Sequence, residues 1–380
     1  MKIGIDCRLW DETGVGRYIR NLVLNLQKLD KENKYVLFVL SKDYSNIKSQ
    51  LITHNSQLVK ADVKWHSVEE QLKFPMILKR ENLDLMHFTY ISVPIFYNKP
   101  FVVTIHDLIP YHFPTSQAST LSMPLYNLKL FGYKFVINIA AKKAKKIIAV
   151  SNVTKEEIID HLGVNPQKVV VTHEGVDCKI TNPKSQASSK FQISNFKLKI
   201  KKYFLYVGNT YPHKNLERLL ETFKLLNSDS GLVLVGKEDY FYKRLKRKAR
   251  EMGISDRVIF LQNVSDQELV DLYRNALALV LPSLMEGFGL PALEAMENKC
   301  LVLASDIPSL IETCGNAALY FNPLNINDLA DKLSMVSLHT TEYGELERLR
   351  REGVRRAKLF SWRKMAKETL VVYQKSAPNP

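Results

Sequence analysis

The chain has 380 residues, 46% hydrophobic and 24% charged, too long for one ordinary core and too apolar for disorder, so a soluble protein of two globular domains is expected. No apolar stretch approaches the roughly 18 residues needed to cross a bilayer, so a membrane-spanning helix is not expected. The formal net charge of +15 implies attraction to something anionic: nucleic acid, an acidic membrane surface or a phosphorylated substrate.

The amino terminus runs straight into a strand-like segment at residues 2–7, so no signal peptide is expected. Cys7, Cys178, Cys300 and Cys314 are widely separated, with neither metal-ligand nor disulfide-framework spacing, and a reducing cytoplasm is the expected location. Next, Gly14 and Gly16 precede a helix over residues 17–29, whose Leu22, Leu26 and Leu29 share one face. A glycine turn before a helix start lets backbone approach an anion, and Arg17 adds a positive charge there. Further strands are expected at residues 35–40, 63–66, 83–88, 101–106, 147–150 and 169–172. The strand at 101–106 ends on His106 and Asp107, where a doubly wound sheet places its ligands. Residues 87–94 also follow a strand and are candidates for a cleft border. Between residues 123 and 136, Tyr126, Leu130, Phe131, Tyr133 and Phe135 alternate with Lys129 and Lys134, a composition suited to an anionic interface or to packing on the first sheet.

Residues 178–202 are polar and aperiodic and read as a linker between a first domain at 1–180 and a second at 200–360. The second domain repeats the alternation, with strands at 203–207, 232–235, 258–261, 277–281, 301–304 and 318–321. After its first strand come Asn209, His213, Lys214 and Asn215, the last expected to cap the helix that begins at Leu216. A lysine at that place can neutralise a diphosphate as a mobile point charge. Basic residues also concentrate at 142–146 and 243–250, without the interleaved aromatic platform used for RNA.

The most informative segment follows the strand at 277–281. Residues 284–296 read Leu-Met-Glu-Gly-Phe-Gly-Leu-Pro-Ala-Leu-Glu-Ala-Met. Gly287 and Gly289 allow a tight turn, Pro291 suits a helix start, and the amides of Phe288, Gly289 and Leu290 point with the helix dipole at one place. Glu286 and Glu294 flank it, and carboxylates accept hydrogen bonds from hydroxyls while repelling phosphate. The combination suits an anion that carries polyols, such as a sugar nucleotide.

This segment resembles the Glu-x7-Glu signature of the family 4 glycosyltransferases, and further landmarks follow in that family's order over nearly the whole chain. The resemblance implies the GT-B fold, two doubly wound Rossmann-like domains facing across a cleft, with the last helix, at about 361–380, crossing back to the first domain through Trp362 and residues 371–373. It implies a retaining hexosyltransferase that uses a nucleotide sugar, GDP-mannose first and UDP-hexoses next. No metal or other cofactor is expected, since aspartates with the strand-end spacing that holds Mg²⁺ are not evident and helix dipole plus lysine can replace the ion. The acceptor implied is a glycan or lipid-linked glycan, with peripheral contact to an anionic inner membrane face and no nucleic acid. Carried over residue by residue, His106, Glu286 and Lys214 are the catalytic candidates. Gly14, Gly16, Arg17, Asn209, His213, Phe288, Gly289, Leu290 and Glu294 bind the donor. Asp107, next to His106, is expected to orient it, a reading from position and not from the resemblance. Base contacts are placed near Lys237 and residues 263–264. The family commonly has an arginine where this chain has Asn209, so the diphosphate is expected to be held by fewer cations, or with help from His213 or Arg17. Two other readings are an epimerase-type enzyme acting on a nucleotide sugar without an acceptor, and a basic nucleic-acid-binding protein.

Overall fold

The computed structural model describes residues 1–51, 55–113, 123–176, 202–338 and 343–377. They form two compact units, one holding the described residues through Gly175 and again from Trp362, the other those from Val176 to Ser361. Apart from Lys202, the linker expected at 178–202 lies outside the described residues, as does Cys178.

The first unit alternates β1 (Lys2–Asp6), α1 (Gly14–Leu29), β2 (Lys34–Val39), α2 (Tyr44–Gln50), β3 (Ser56–Lys60), α3 (Val68–Arg80), β4 (Leu85–Phe88), β5 (Phe101–Ile105), α4 (Ile109–His112), α5 (Met123–Lys143), β6 (Lys146–Ala149), α6 (Asn152–Leu162) and β7 (Val169–Val171). Its strands are parallel, in the order β3-β2-β1-β4-β5-β6-β7. β5 reads Phe-Val-Val-Thr-Ile and is buried at every position, the continuous apolar run of a parallel strand covered on both faces.

One strand differs from the sequence reading. The strand expected at 63–66 is coil, and β3 lies earlier, pairing Tyr35 with Ser56 and Val39 with Lys60. As an edge strand, Ser-Gln-Leu-Val-Lys stays partly exposed, so it carries little of the apolar signal by which strands are read. Val63 is buried all the same, in the turn that follows.

The second unit alternates β8 (Tyr203–Val207), α7 (Leu216–Leu225), β9 (Gly231–Val235), α8 (Tyr240–Glu251), β10 (Val258–Leu261), α9 (Asp266–Asn275), β11 (Ala278–Leu281), α10 (Leu290–Glu297), β12 (Val302–Ser305), α11 (Pro308–Cys314), β13 (Leu319–Phe321), α12 (Ile326–Leu338) and α13 (Tyr343–Ala357). Its sheet is parallel too, in the order β10-β9-β8-β11-β12-β13. Each sheet therefore reverses direction once, between β1 and β4 in one and between β8 and β11 in the other. In such sheets the crevice for ligands opens at the strand carboxyl ends beside that reversal.

The final helix, α14 (Trp362–Ser376), belongs to the first unit, where it packs on α1. Trp362, Met365, Ala366, Val372 and Tyr373 are buried. The Tyr373 hydroxyl meets His87 Nδ1 at 2.6 Å, His87 Nε2 meets Thr104 Oγ1 at 2.8 Å, and Thr104 meets the Tyr18 hydroxyl at 3.0 Å. This chain of hydrogen bonds ties α14, β4, β5 and α1 together through a buried interior, where each polar group requires its partner.

Burial holds the imidazole of His87 down at about 3 and that of His66 at about 4, against an ordinary 6.5. Both rings are neutral in the folded chain, so the unfolded chain takes up protons first as pH falls. Their contribution to stability is present above the unfolded value and is lost as pH drops below it. The melting temperature is expected to fall between about pH 7 and about pH 5. A melting temperature that does not change over that range would contradict the neutral burial of these rings.

Candidate active site

In the second unit, the turn after β8 and the loop after β11 are tied together. Pro212, His213 and Lys214 form a short 3-10 turn ahead of α7. The His213 carbonyl accepts from the Leu284 amide at 2.8 Å. Asn215 does not cap α7 with its side chain. It sits in the left-handed region at φ 59°, and its amide nitrogen donates to the carbonyls of Pro282 and Pro323 at 3.0 and 2.9 Å. The residue expected as a helix cap is a strut between loops, because the backbone that it supports passes within reach of its side chain.

These ties set a charged cluster. Lys214 Nζ lies 2.7 Å from Glu286 Oε2, each side chain 13% exposed. The Ser283 hydroxyl donates to Glu286 Oε1 at 2.7 Å. Burial alone would raise the Glu286 carboxyl, but Lys214, Ser283 and His213 outweigh it and hold it below the ordinary glutamate value. Glu286 is thus a fixed anion, suited to accept hydrogen bonds and not to supply a proton.

His213 is buried beside this pair. Burial first, then the neighbouring Lys214, lowers its imidazole to about 4, so it offers hydrogen bonds but no cation near neutral pH. Asn209 makes a local turn, its Oδ1 accepting from the Tyr211 amide at 3.4 Å and its carbonyl from the Tyr206 hydroxyl at 2.5 Å.

The loop after Glu286 reaches α10 through Gly289, at φ 96°, where an added Cβ would lie 2.6 Å from Leu310 Cδ2. Glycine is needed there for both backbone and space. α10 starts at Leu290, Pro291 brings no amide, and the Ala292 amide donates to the Gly289 carbonyl. Phe288 is buried edge-on against Phe360, and its carbonyl accepts from the Thr313 hydroxyl. Glu294 lies on α10, and its Oε2 accepts from the Tyr273 hydroxyl of α9 at 3.0 Å. Lys237 and Asn263, exposed after β9 and β10, complete the strand-end residues of this unit named from sequence.

In the first unit, His106 follows β5 and is 9% exposed. Its Nε2 lies 3.0 Å from the Thr89 carbonyl beyond β4, and its Nδ1 lies 3.3 Å from Glu174 Oε1 beyond β7. Tyr18 of α1 meets the ring edge-on at 4.9 Å. Asp107, the carboxylate expected to orient this ring, accepts from the Ile109 amide at 3.0 Å, and the carboxylate on Nδ1 is Glu174. Glu174 could have been marked from sequence, since it stands just past a strand end in His-Glu-Gly. Thr89 and Ser283 also stand just past strand ends, whereas Tyr273, inside α9, carries no such mark.

Gly14 and Gly16 lie inside the first turn of α1. Gly14 is exposed, with nothing within 4 Å of an added Cβ, whereas a Cβ on Gly16 would sit 2.5 Å from the Trp10 carbonyl oxygen and 2.8 Å from that of Leu9. The close approach that requires glycine at 16 is to the chain's own backbone. Arg17, next on α1, is half-buried. Among the described residues, no group of three or more His, Cys, Asp or Glu side chains is arranged to hold a metal ion.

The chain is similar to known proteins over most of its length. Residues 13–180 match the model of Glycosyltransferase Family 4, and residues 188–352 that of Glycosyl transferases group 1. The chain is 30% identical over 290 residues to the O-antigen chain mannosyltransferase RfbU of Salmonella typhimurium, covering 73% of this chain and 75% of that protein. It is 31% identical over 239 residues to the O-antigen chain mannosyltransferase B of Escherichia coli, covering 61% of each. Among solved structures, a glycosyltransferase from Rickettsia africae superposes with a TM-score of 0.72 at 19% identity, covering 100% of this chain and 99% of that one. Anabaena HepE, in complex with UDP and glucose, superposes with a TM-score of 0.76 at 15% identity, covering 98% of this chain and 99% of that one.

Proposed function

This chain belongs to the family 4 glycosyltransferases, and on that premise we propose that it moves mannose from GDP-mannose to a hydroxyl of a glycan or lipid-linked acceptor, with retention of configuration. The observation that carries the proposal is the fixed Lys214–Glu286–Ser283 cluster beside the start of α10, at the reversal of a doubly wound sheet. Mannose is favoured because two relatives at 30% and 31% identity are mannosyltransferases by name.

In this reading Lys214 and the helix start meet the charge that develops on the leaving diphosphate. The bond from the anomeric carbon to the diphosphate oxygen breaks, and its electron pair leaves with the phosphate. The acceptor oxygen bonds to the same face of the sugar, and its proton passes to the departing phosphate. Glu286 receives sugar hydroxyls, Glu294 receives ribose hydroxyls, and His106 contacts the donor sugar. No metal or cofactor is assigned a part, since lysine and helix dipole meet the diphosphate charge.

The acceptor is proposed to lie at an anionic membrane face. No helix among the described residues is long and apolar enough to cross a membrane. α5, however, turns Met123, Leu125, Leu128, Phe131 and Phe135 outward at 50–69% exposure, with Lys129 and Lys142 exposed on the same helix. Its Tyr133 faces the other way, against Tyr111 and His66. Exposed apolar and cationic side chains together suit an anionic lipid surface. The basic run on α8 is instead engaged by acids, Arg244 with Glu217 and Lys248 with Glu217 and Glu221, which supports a reading without nucleic acid.

Thermal melting with GDP, UDP, ADP and dTDP tests the donor. GDP is expected to raise the midpoint most, by mass action on the folded state, and GDP-mannose to be consumed. If none of the four nucleotides shifts the midpoint, the proposal fails. Co-sedimentation with phosphatidylglycerol vesicles, reduced in a Phe131→Glu variant, is expected for the membrane contact, and equal pelleting of both proteins would remove α5 from it.

A further inference from the structure

We propose that Glu174 is the positioning residue of His106, engaging Nδ1 while Thr89 engages Nε2, so that the ring is fixed in place and cannot act as a base; this rests on the reading of His106 as a donor-sugar contact. The Thr89 carbonyl can only accept, so Nε2, 3.0 Å away, carries a hydrogen. Nδ1 then faces Glu174 Oε1 at 3.3 Å, on side chains 10% and 9% exposed. Two bare lone pairs would repel at that distance with little water to screen them. The contact is attractive only with one proton between the atoms. Whichever atom that proton is nearer, the ring keeps no lone pair free to take a proton from an attacking hydroxyl.

The surroundings fit this assignment. The groups facing the ring are Glu174, the edge of Tyr18 at 4.9 Å and Tyr90 at 6.3 Å. His87 is the other ionisable neighbour, and burial keeps it neutral. The Thr89 hydroxyl donates to the Asp6 carbonyl at 2.6 Å, so the acceptor of Nε2 is itself anchored to β1. The ring is thus fixed from three strand ends, and Glu174 supplies the contact that decides where its protons are. The consequence for the reaction is that the acceptor's proton has the departing diphosphate as its destination and not His106.

The test uses the full chain labelled with nitrogen-15 histidine, alongside Glu174→Ala and Glu174→Gln. In the wild type, the His106 Nδ1 signal is expected to be that of a hydrogen-bonded nitrogen, and in Glu174→Ala that of a bare one. Consumption of GDP-mannose without acceptor is expected to lose about tenfold or more in kcat in Glu174→Ala, with KM within about twofold. Glu174→Gln, whose amide can donate to Nδ1, is expected to retain most of the rate. A bare Nδ1 in the wild type, or an unchanged kcat in Glu174→Ala, overturns the assignment. The wild-type spectrum decides it even if the alanine variant does not fold. A wild type whose melting none of the four nucleotides shifts would overturn the functional reading instead, with the ring spectra still judging Glu174.

Discussion

Glu286→Gln is expected to lose about 10²-fold or more in transfer and yet to bind GDP more tightly than the wild type. The opposite signs come from one contact. With no donor present, Lys214 and Glu286 are each other's counter-ion at 2.7 Å in a mostly buried setting. On the proposed reading, a diphosphate arriving at Lys214 would displace that carboxylate, while the sugar it carries would offer Glu286 hydroxyls in exchange. GDP has no sugar to offer, so in the wild type it competes with Glu286 for the lysine and receives nothing back. Glutamine keeps the size and the hydrogen bond from Ser283 but removes the competing charge. A gain of about tenfold in GDP affinity, or ~1.4 kcal/mol, is a reasonable size for the released lysine. Calorimetric titration of both proteins with GDP checks this, and equal or weaker binding by the variant would show that Lys214 does not hold the diphosphate. On the proposed reading, the same competition would help GDP leave after transfer, since Glu286 would recover its lysine once the sugar had gone.

Arg8→Ala is expected to cost about 3–5 kcal/mol of stability, a large share of what a domain has. Arg8 is 1% exposed at its side chain. It donates to Asp6 at 2.9 and 2.6 Å, to Glu70 at 2.6 Å and to the Val63 carbonyl at 3.1 Å. Its guanidinium also lies 3.8 Å over the Phe74 ring. Burial opposes its charge, but Asp6 and Glu70 outweigh burial and hold its pKa above the ordinary value. Glu70 in turn accepts from the Ser92 hydroxyl and the His66 amide. Removing the arginine leaves two carboxylates facing each other in a buried place, which is why the loss should exceed that of an exposed pair. Arg8→Lys keeps the charge without the planar fork and is expected to fall between. Urea unfolding of the three proteins measures this, and a cost below about 1 kcal/mol for alanine would mean that the network is only a surface-like pair.

The class of fold was legible because it is written locally. Apolar runs of strand length alternate with helical periods, and Gly287, Gly289 and Pro291 mark where a strand gives way to a turn and a helix. β3 escaped because an edge strand has one neighbour and needs little apolar character, so Ser56–Lys60 gave a weaker signal than buried Val63 nearby. Asn215 escaped for a different reason, since asparagine before a helix suits a cap and only the passing carbonyls of Pro282 and Pro323 give it other work.

By itself, then, the sequence determined the parallel α/β architecture, the family and the strand ends on which His106, Lys214 and Glu286 stand. Tertiary structure alone decided which partner each side chain has. Lys214 meets Glu286 across 72 residues of chain, Arg8 meets Glu70 across 62, and His106 meets Glu174 instead of the adjacent Asp107. The physical reason is that periodicity encodes which face of an element is buried, whereas charge pairing depends on distances of a few ångströms between strand ends far apart in the chain. The same distances set protonation, so the neutrality of His213 and the anionic state of Glu286 follow from packing and not from residue type.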